Sequence, residues 1–230
     1  MQPEFFSLRH PLRSLAVLRN FVRTVKDPTR SDIQAGINRI IRDSLAGATP
    51  EEERTAMEQR PEIASLWAER YDPPLDRGAL EALPAGSLGR EYARFIRDNR
   101  IDPLGTLVEL GPPRNFLEYA LIRAYKLHDV LHVILGCDAT VMGEVRIVSY
   151  SLGQGIGARP RGPAAALSVL FLHLTLVDPA RVREAVDLAH QWMHLGMRAP
   201  SHTGLRLEDW LADSVDAVRA RALGPAALAA

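Results

Sequence analysis

Asn115-Phe116-Leu117-Glu118-Tyr119-Ala120-Leu121-Ile122-Arg123-Ala124-Tyr125-Lys126-Leu127-His128-Asp129-Val130-Leu131-His132-Val133-Ile134-Leu135-Gly136 is the stretch on which the reading of this chain turns. Its apolar residues recur at three and four, the period of an α-helix. Gly136 is a natural stop, and Asp138 or Thr140 can cap a following helix. The spacing therefore predicts a helix over 115–135 and a return helix over 140–152. The same period predicts helices near 11–26, 31–45, 62–69, 88–99, 163–176, 179–195 and 207–221. Pro and Gly punctuate between them, at Pro73-Pro74, Gly111-Pro112-Pro113, Gly153 to Pro163 and Ala199-Pro200. Strand signals are few, the best being Val145 to Val148. The expected fold is all-α, a single multi-helix globular domain. Residues 1–26 form a basic amphipathic helix belonging to it, 27–221 the main body, and 222–230 a frayed tail.

Within the long helix, His128 and His132 are four apart, so their Cβ atoms stand about 6 Å apart on one face. Asp129 lies close enough round the helix to join or orient them. Arg123 and Lys126 point the other way, so the histidine face is expected to turn inward, with Leu117, Leu121 and Tyr125. Glu144, twelve residues after His132, comes back alongside it if the next helix returns. Two imidazoles and two carboxylates balance a divalent ion and suit zinc, iron, manganese or cobalt better than copper or an Fe–S cluster. Asp187, His190 and His194, at i, i+3 and i+7, are a rival set on spacing alone. The bland alternative for either set is a polar or hydrogen-bonded helix face.

Bulk composition narrows the function classes. The 230 residues are 47% hydrophobic and 24% charged, enough apolar content for a sizeable core. Lys plus Arg equals Asp plus Glu at 28 each, so net charge says nothing about nucleic acid or membrane, and no nucleic-acid partner is expected. The lone Cys137 excludes an internal disulfide and fits a reducing compartment. The opening shows no secretory signal, and no stretch has the roughly 20 apolar residues of a transmembrane helix. The opening helix places Leu15, Leu18, Phe21, Val22 and Val25 opposite Arg9, Arg13, Arg19, Arg23 and Lys26. That suits packing on the core or lying on an anionic membrane surface. The apolar run Ala164 to Leu176 reads as core or as the lining of an apolar groove, with His173 a core histidine.

The pattern His128-Asp129-x-x-His132, eleven residues, Glu144 resembles the signature of a coenzyme Q (ubiquinone) biosynthesis family, that of the fourth Coq protein. A second block carries the same resemblance: Leu83-Pro84-x-Gly86-Ser87-Leu88-Gly89-Arg90-Glu91-Tyr92-x-Arg94-Phe95, followed by Asn99-Arg100. Asp27-Pro28, Arg60-Pro61-x-Ile63, Arg198-Ala199-Pro200 and Trp210 fall in family order, so the likeness spans roughly residues 15 to 215. It maps the metal motif onto His128, Asp129, His132 and Glu144 and not onto His190 or His194. The chain departs from the family where Gly153, Gly155 and Gly157 surround Gln154, at positions usually bulkier.

The resemblance implies a helical homodimer that binds long prenyl chains at a membrane surface beside other ubiquinone-synthesis proteins. In bacteria this is the inner face of the cytoplasmic membrane; in eukaryotes it is the matrix side of the inner mitochondrial membrane. It implies metal-dependent oxidative C1 decarboxylation of a polyprenylated 4-hydroxybenzoate, with oxygen placed on that carbon. The alternatives are a non-catalytic prenyl-lipid scaffold and a metal-dependent prenyl-phosphate hydrolase. Zinc is the first choice of ion, with iron, manganese, cobalt or magnesium behind it. Arg90, Tyr92 and Gln154 are the expected substrate-side residues. Arg90 has an alternative use as a solvent-facing charge or a partner for Glu91.

Overall fold

The computed structural model describes residue 23 and residues 48–103, 111–155 and 161–224. The expected helices at 11–26 and 31–45 lie outside these residues, apart from Arg23, which is helical and exposed. The described elements are helical: α1 (Pro50–Gln59), α2 (Pro61–Ala68), α3 (Arg77–Glu81), α4 (Leu88–Asp98), α5 (Phe116–Leu135), α6 (Val141–Gly153), α7 (Arg161–Val177), α8 (Val182–Arg198) and α9 (Val215–Leu223). Among the described residues there is no strand, only an isolated bridge between Ser87 and Ser214. Val145 to Val148, the best strand signal, lies inside α6.

Local chemistry sets the ends. Asn115 caps α5 by accepting from the Glu118 amide, and Gly136 closes it at φ 67°. There the Cys137 amide donates to the His132 carbonyl and the Gly136 amide to Val133. This is a paired C-terminal cap that needs a left-handed residue, which glycine supplies without a Cβ clash. Thr140 rather than Asp138 is the cap of α6, accepting from the Gly143 amide at 3.3 Å. Asp138 instead accepts from the Thr140 hydroxyl at 2.6 Å.

Two boundaries differ from the periodicity. The 207–221 element divides into a short 3₁₀ turn, Leu207–Trp210, and α9, which starts afresh on its own cap, Ser214. α9 runs on to Leu223, so Ala222 and Leu223 are helical and buried, although the sequence placed them in the tail. Helix α1 was missed because few of its residues are apolar. Its signal was the capping box, Thr49 with Glu52, and Pro50 in the first turn.

α5 is the central rod. One core joins Leu88, Tyr92 and Ile96 of α4 to Leu127, Val130 and Ile134 of α5 and Val218 of α9. A second packs α1 and α2 on Phe116, Leu117 and Tyr119 at the start of α5. A third sets Met142, Val145 and Val148 of α6 against Leu170 and Leu174 of α7 and Ala185 of α8. α6 and α8 approach almost backbone to backbone: a Cβ on Gly196 would stand 2.9 Å from the Tyr150 carbonyl carbon.

The block around Gly86 has a physical reading. Gly86 turns the chain at φ 79°, and a Cβ on Gly89 would meet Leu80 at 2.9 Å and the Leu211 carbonyl at 3.2 Å. The Leu88 and Gly89 amides donate to Asp213 and Leu211, which pins the start of α4 to the segment ahead of α9.

One expectation is overturned. Arg123 and Lys126 do not face solvent: both are buried. Arg123 donates to the Thr203 carbonyl at 2.6 Å, to the Leu205 carbonyl and to Glu208 at 2.9 Å. Lys126 meets Glu208 at 3.1 Å and Asp72 at 2.9 Å. A rod packed on all sides has no solvent face, so the position of its basic residues does not tell which side is inward.

Candidate metal centre

Gly136 reverses the chain and α6 returns beside α5, so Glu144 of α6 faces the two histidines of α5. His128 Nε2 is 3.3 Å from one Glu144 oxygen, and His132 Nε2 is 3.3 Å from the other. The ligand atoms of His128, Asp129 and His132 lie within 4.8 Å of one another. His132 and Glu144 are buried, and His128 and Asp129 half-buried. Phe95 of α4 stacks on the His132 ring, with centroids 5.1 Å apart, and walls the site on that side. The imidazoles of His128 and His132 meet edge to face at 5.2 Å.

The Nδ1 atom of His132 lies 2.9 Å from the Asp138 carbonyl. A carbonyl only accepts, so Nδ1 carries the proton and Nε2 is left to face the site. Asp138 was foreseen only as a helix cap; a backbone carbonyl leaves no trace in residue type.

Electrostatics follow from burial and crowding. Burial disfavours the His128 imidazolium, but the Glu144 carboxylate, aided by Asp129, outweighs it and raises His128 to about 9. Burial pushes Glu144 up, while His128 and His132 overcome that and hold it well below the usual range. Asp129 is raised by burial, against the pull of both histidines.

The donor set fits a divalent ion. Both Nε2 atoms are buried and make no aligned hydrogen bond, although each sits within ion-pair range of Glu144. Buried polar atoms are rarely left so without a purpose. Two N or O ligands about 2.05 Å from one tetrahedral ion stand about 3.3 Å apart, which matches the histidine–carboxylate spacing. The rival set behaves differently. His190 and His194 are adjacent on α8, with ring centroids 4.5 Å apart, but they and Asp187 are exposed.

The three residues expected on the substrate side separate. Tyr92 is fully buried with an unpartnered hydroxyl; burial and then the Asp129 charge push its phenol up. Arg90 is exposed and donates to the Leu83 carbonyl at 3.2 Å, while the partner of Glu91 is Arg94. Gln154 is occupied within the protein. Its Nε2 donates to the Tyr150 hydroxyl at 2.9 Å and the Pro200 carbonyl at 2.6 Å. Its Oε1 accepts from the His202 amide at 3.1 Å and lies 2.6 Å from His202 Nδ1. His173 is buried on α7.

Residues 16–223 match the family model described as coenzyme Q (ubiquinone) biosynthesis protein Coq4. The chain belongs to this family. Among relatives, the zebrafish (Danio rerio) mitochondrial ubiquinone biosynthesis protein COQ4 homolog is 31% identical over 146 residues, covering 62% of this chain and 52% of the relative. The bovine (Bos taurus) protein of the same description is 30% identical over 183 residues, covering 76% of this chain and 63% of the relative. The chain thus spans about half to three fifths of the length of these curated relatives. A crystal structure from Nostoc punctiforme, described as a ubiquinone biosynthesis protein, superposes with a TM-score of 0.67 at 20% identity. It covers 89% of this chain and 95% of its own, a likeness of fold. No helix among the described residues is long and apolar enough to cross a membrane.

Proposed function

We propose that this chain serves ubiquinone synthesis by removing the C1 carboxyl group of a polyprenylated 4-hydroxybenzoate, using a divalent ion held by His128, Asp129, His132 and Glu144. The observation that carries the reading is the pair of buried Nε2 atoms that make no aligned hydrogen bond yet face one carboxylate at 3.3 Å, in a chain of this family. Zinc suits the N and O donors, with iron, manganese, cobalt and magnesium as alternatives. When bound, the ion supplies Lewis acidity toward a carboxylate or ring oxygen. The carboxyl group leaves as carbon dioxide and C1 takes one oxygen atom from an external oxidant; where that is dioxygen, its second oxygen atom leaves as water with two electrons and two protons from an external reductant.

The residues of this chain have separable duties. His128, His132, Asp129 and Glu144 provide the donors. Phe95 covers His132 and keeps water from that side. Tyr92 holds a hydroxyl free to donate to a substrate oxygen. Arg90 and Gln154 are weaker choices for substrate contact, being turned outward and internally bonded respectively.

The test compares the parent with Glu144→Gln, which keeps side-chain volume and removes the charge. Both are given a prenylated 4-hydroxybenzoate, dioxygen and zinc or Fe²⁺, and loss of the carboxyl group is followed by mass. A folded, inactive variant beside an active parent supports the reading. An inactive, metal-loaded parent together with a Glu144→Gln gene that still sustains ubiquinone synthesis in cells points instead to a scaffold. Hydrolysis of a prenyl phosphate by the same preparation points to the hydrolase alternative. The scaffold reading has one observation of its own. α7 and α8 expose Leu172, Leu176, Val177 and Val186, an apolar surface suited to a prenyl lipid, a membrane, a second copy or another ubiquinone-synthesis protein.

A further inference from the structure

We propose that Gly143 is a positioning residue: by leaving room for the Asp138 carbonyl it fixes His132 with Nδ1 protonated and Nε2 toward the metal centre. The inference rests on the metal reading above and concerns how one donor is held. One aligned hydrogen bond orients the His132 ring: its Nδ1 meets the Asp138 carbonyl at 2.9 Å, while its Nε2 makes no aligned hydrogen bond and stands 3.3 Å from Glu144. That carbonyl sits in the turn between α5 and α6, and its place is set by what packs on it. A Cβ at position 143 would stand 2.5 Å from Asp138 Oδ1, 2.8 Å from the Asp138 carbonyl carbon, and closer still to the carbonyl oxygen itself. Those are contacts a side chain does not tolerate, and backbone rather than a flexible tip is on the other side. Any residue but glycine at 143 must displace the turn.

The turn is held from its other end too. Asp138 Oδ1 accepts from the Thr140 hydroxyl at 2.6 Å and from the Thr140 amide at 3.2 Å. The Thr140 hydroxyl in turn accepts from the Gly143 amide at 3.3 Å. Gly143, Thr140 and Asp138 are thus one small frame, and His132 Nδ1–H is the bond it presents to the donor set. Partners of this kind set the tautomer and ring angle of a metal-binding imidazole, and losing one typically weakens metal binding 10–100-fold. Gly143 precedes Glu144, so α6 supplies a donor and the support for another donor from consecutive residues.

The test is imidazole ¹⁵N NMR on the full chain, first without metal and then with zinc. In the parent, His132 is expected to show a slowly exchanging Nδ1–H. Gly143→Ala is expected to lose that signal and to bind zinc about 10–100-fold more weakly, with its helical circular dichroism retained. A shift of Glu144 alone would weaken zinc binding but leave His132 Nδ1–H in place, and that outcome overturns the proposal. A parent whose His132 carries its proton on Nε2 alone overturns it as well. So does a folded Gly143→Ala variant with the parental tautomer and affinity. Should Gly143→Ala not fold, Thr140→Val, which removes the hydroxyl bond to Asp138 and the α6 cap but keeps the amide bond and adds no bulk at 143, is judged by the same two readouts. A parent that binds no zinc refutes the metal reading, while the metal-free spectrum still decides the placement of His132.

Discussion

Glu208→Gln is the most exacting test of the packing described for α5. Glu208 is buried against Arg123 and Lys126, whose side chains are 2% and 4% exposed, so the variant leaves two buried cations facing a neutral amide. Breaking a buried ion pair by removing one partner costs about 3–5 kcal/mol, because the remaining charge stays desolvated. Lys126 keeps Asp72, which is half exposed and weakly screened from solvent, so the lower half of that range is expected. In a domain of this size about 1 kcal/mol moves the melting temperature by roughly 2–4 °C, which gives a fall of about 6–16 °C for about 3–4 kcal/mol. Urea unfolding followed by far-ultraviolet circular dichroism measures it. A loss below about 1 kcal/mol would refute the reasoning, since an exposed pair costs no more than that. The companion is Arg123→Met, Lys126→Met and Glu208→Leu together. It is expected to be markedly more stable than Glu208→Gln, because no unpaired charge then remains buried.

Metal analysis is expected to find about one divalent ion per chain, lost in His132→Ala and kept in His194→Ala; the reverse pattern would move the site to α8. Gly196→Ala is expected to cost about 1–3 kcal/mol in urea unfolding by forcing α6 and α8 apart, and a variant within about 0.5 kcal/mol of the parent would contradict the close approach. His202 gives a pH dependence in the metal-free protein. Burial, reinforced by the charges of His128 and Arg123, lowers it to about 3. Its folded value lies below the unfolded one, so its stabilising effect is complete above about pH 6.5 and is lost as pH falls toward 3. Stability is expected to drop by up to about 1.4 kcal/mol per pH unit between pH 6 and 5, and His202→Asn is expected to flatten that slope.

The helices and the closeness of His128, His132 and Glu144 were legible for different reasons. α5, α6 and α8 announce themselves by long apolar periodicity. The histidine pair follows from four-residue spacing, and Glu144, twelve residues after His132, from a short turn and a return helix. What stayed hidden is what periodicity cannot encode. Arg123 and Lys126 read as a solvent face because charge is usually exposed, and their acceptors, Glu208 and the carbonyls of Thr203 and Leu205, lie some eighty residues on. Asp138 supports His132 through its backbone, which any residue has. Gln154 resembles a site residue in the family pattern, yet three of its four hydrogen bonds fasten the end of α6 to the Pro200–His202 segment, and the fourth goes to Tyr150 within α6.

Because α5 carries the histidines on one side and Arg123 and Lys126 on another, a genetic screen will not see these sides as separate. A substitution at Arg123 tilts or loosens the same rod that presents His128, one and a half turns away. Loss-of-function variants at 123, 126 and 208 will therefore resemble donor-residue variants in any assay of pathway output. On the proposed metal reading, added metal is expected to restore the former in part, by favouring the folded state, and to leave the latter unchanged.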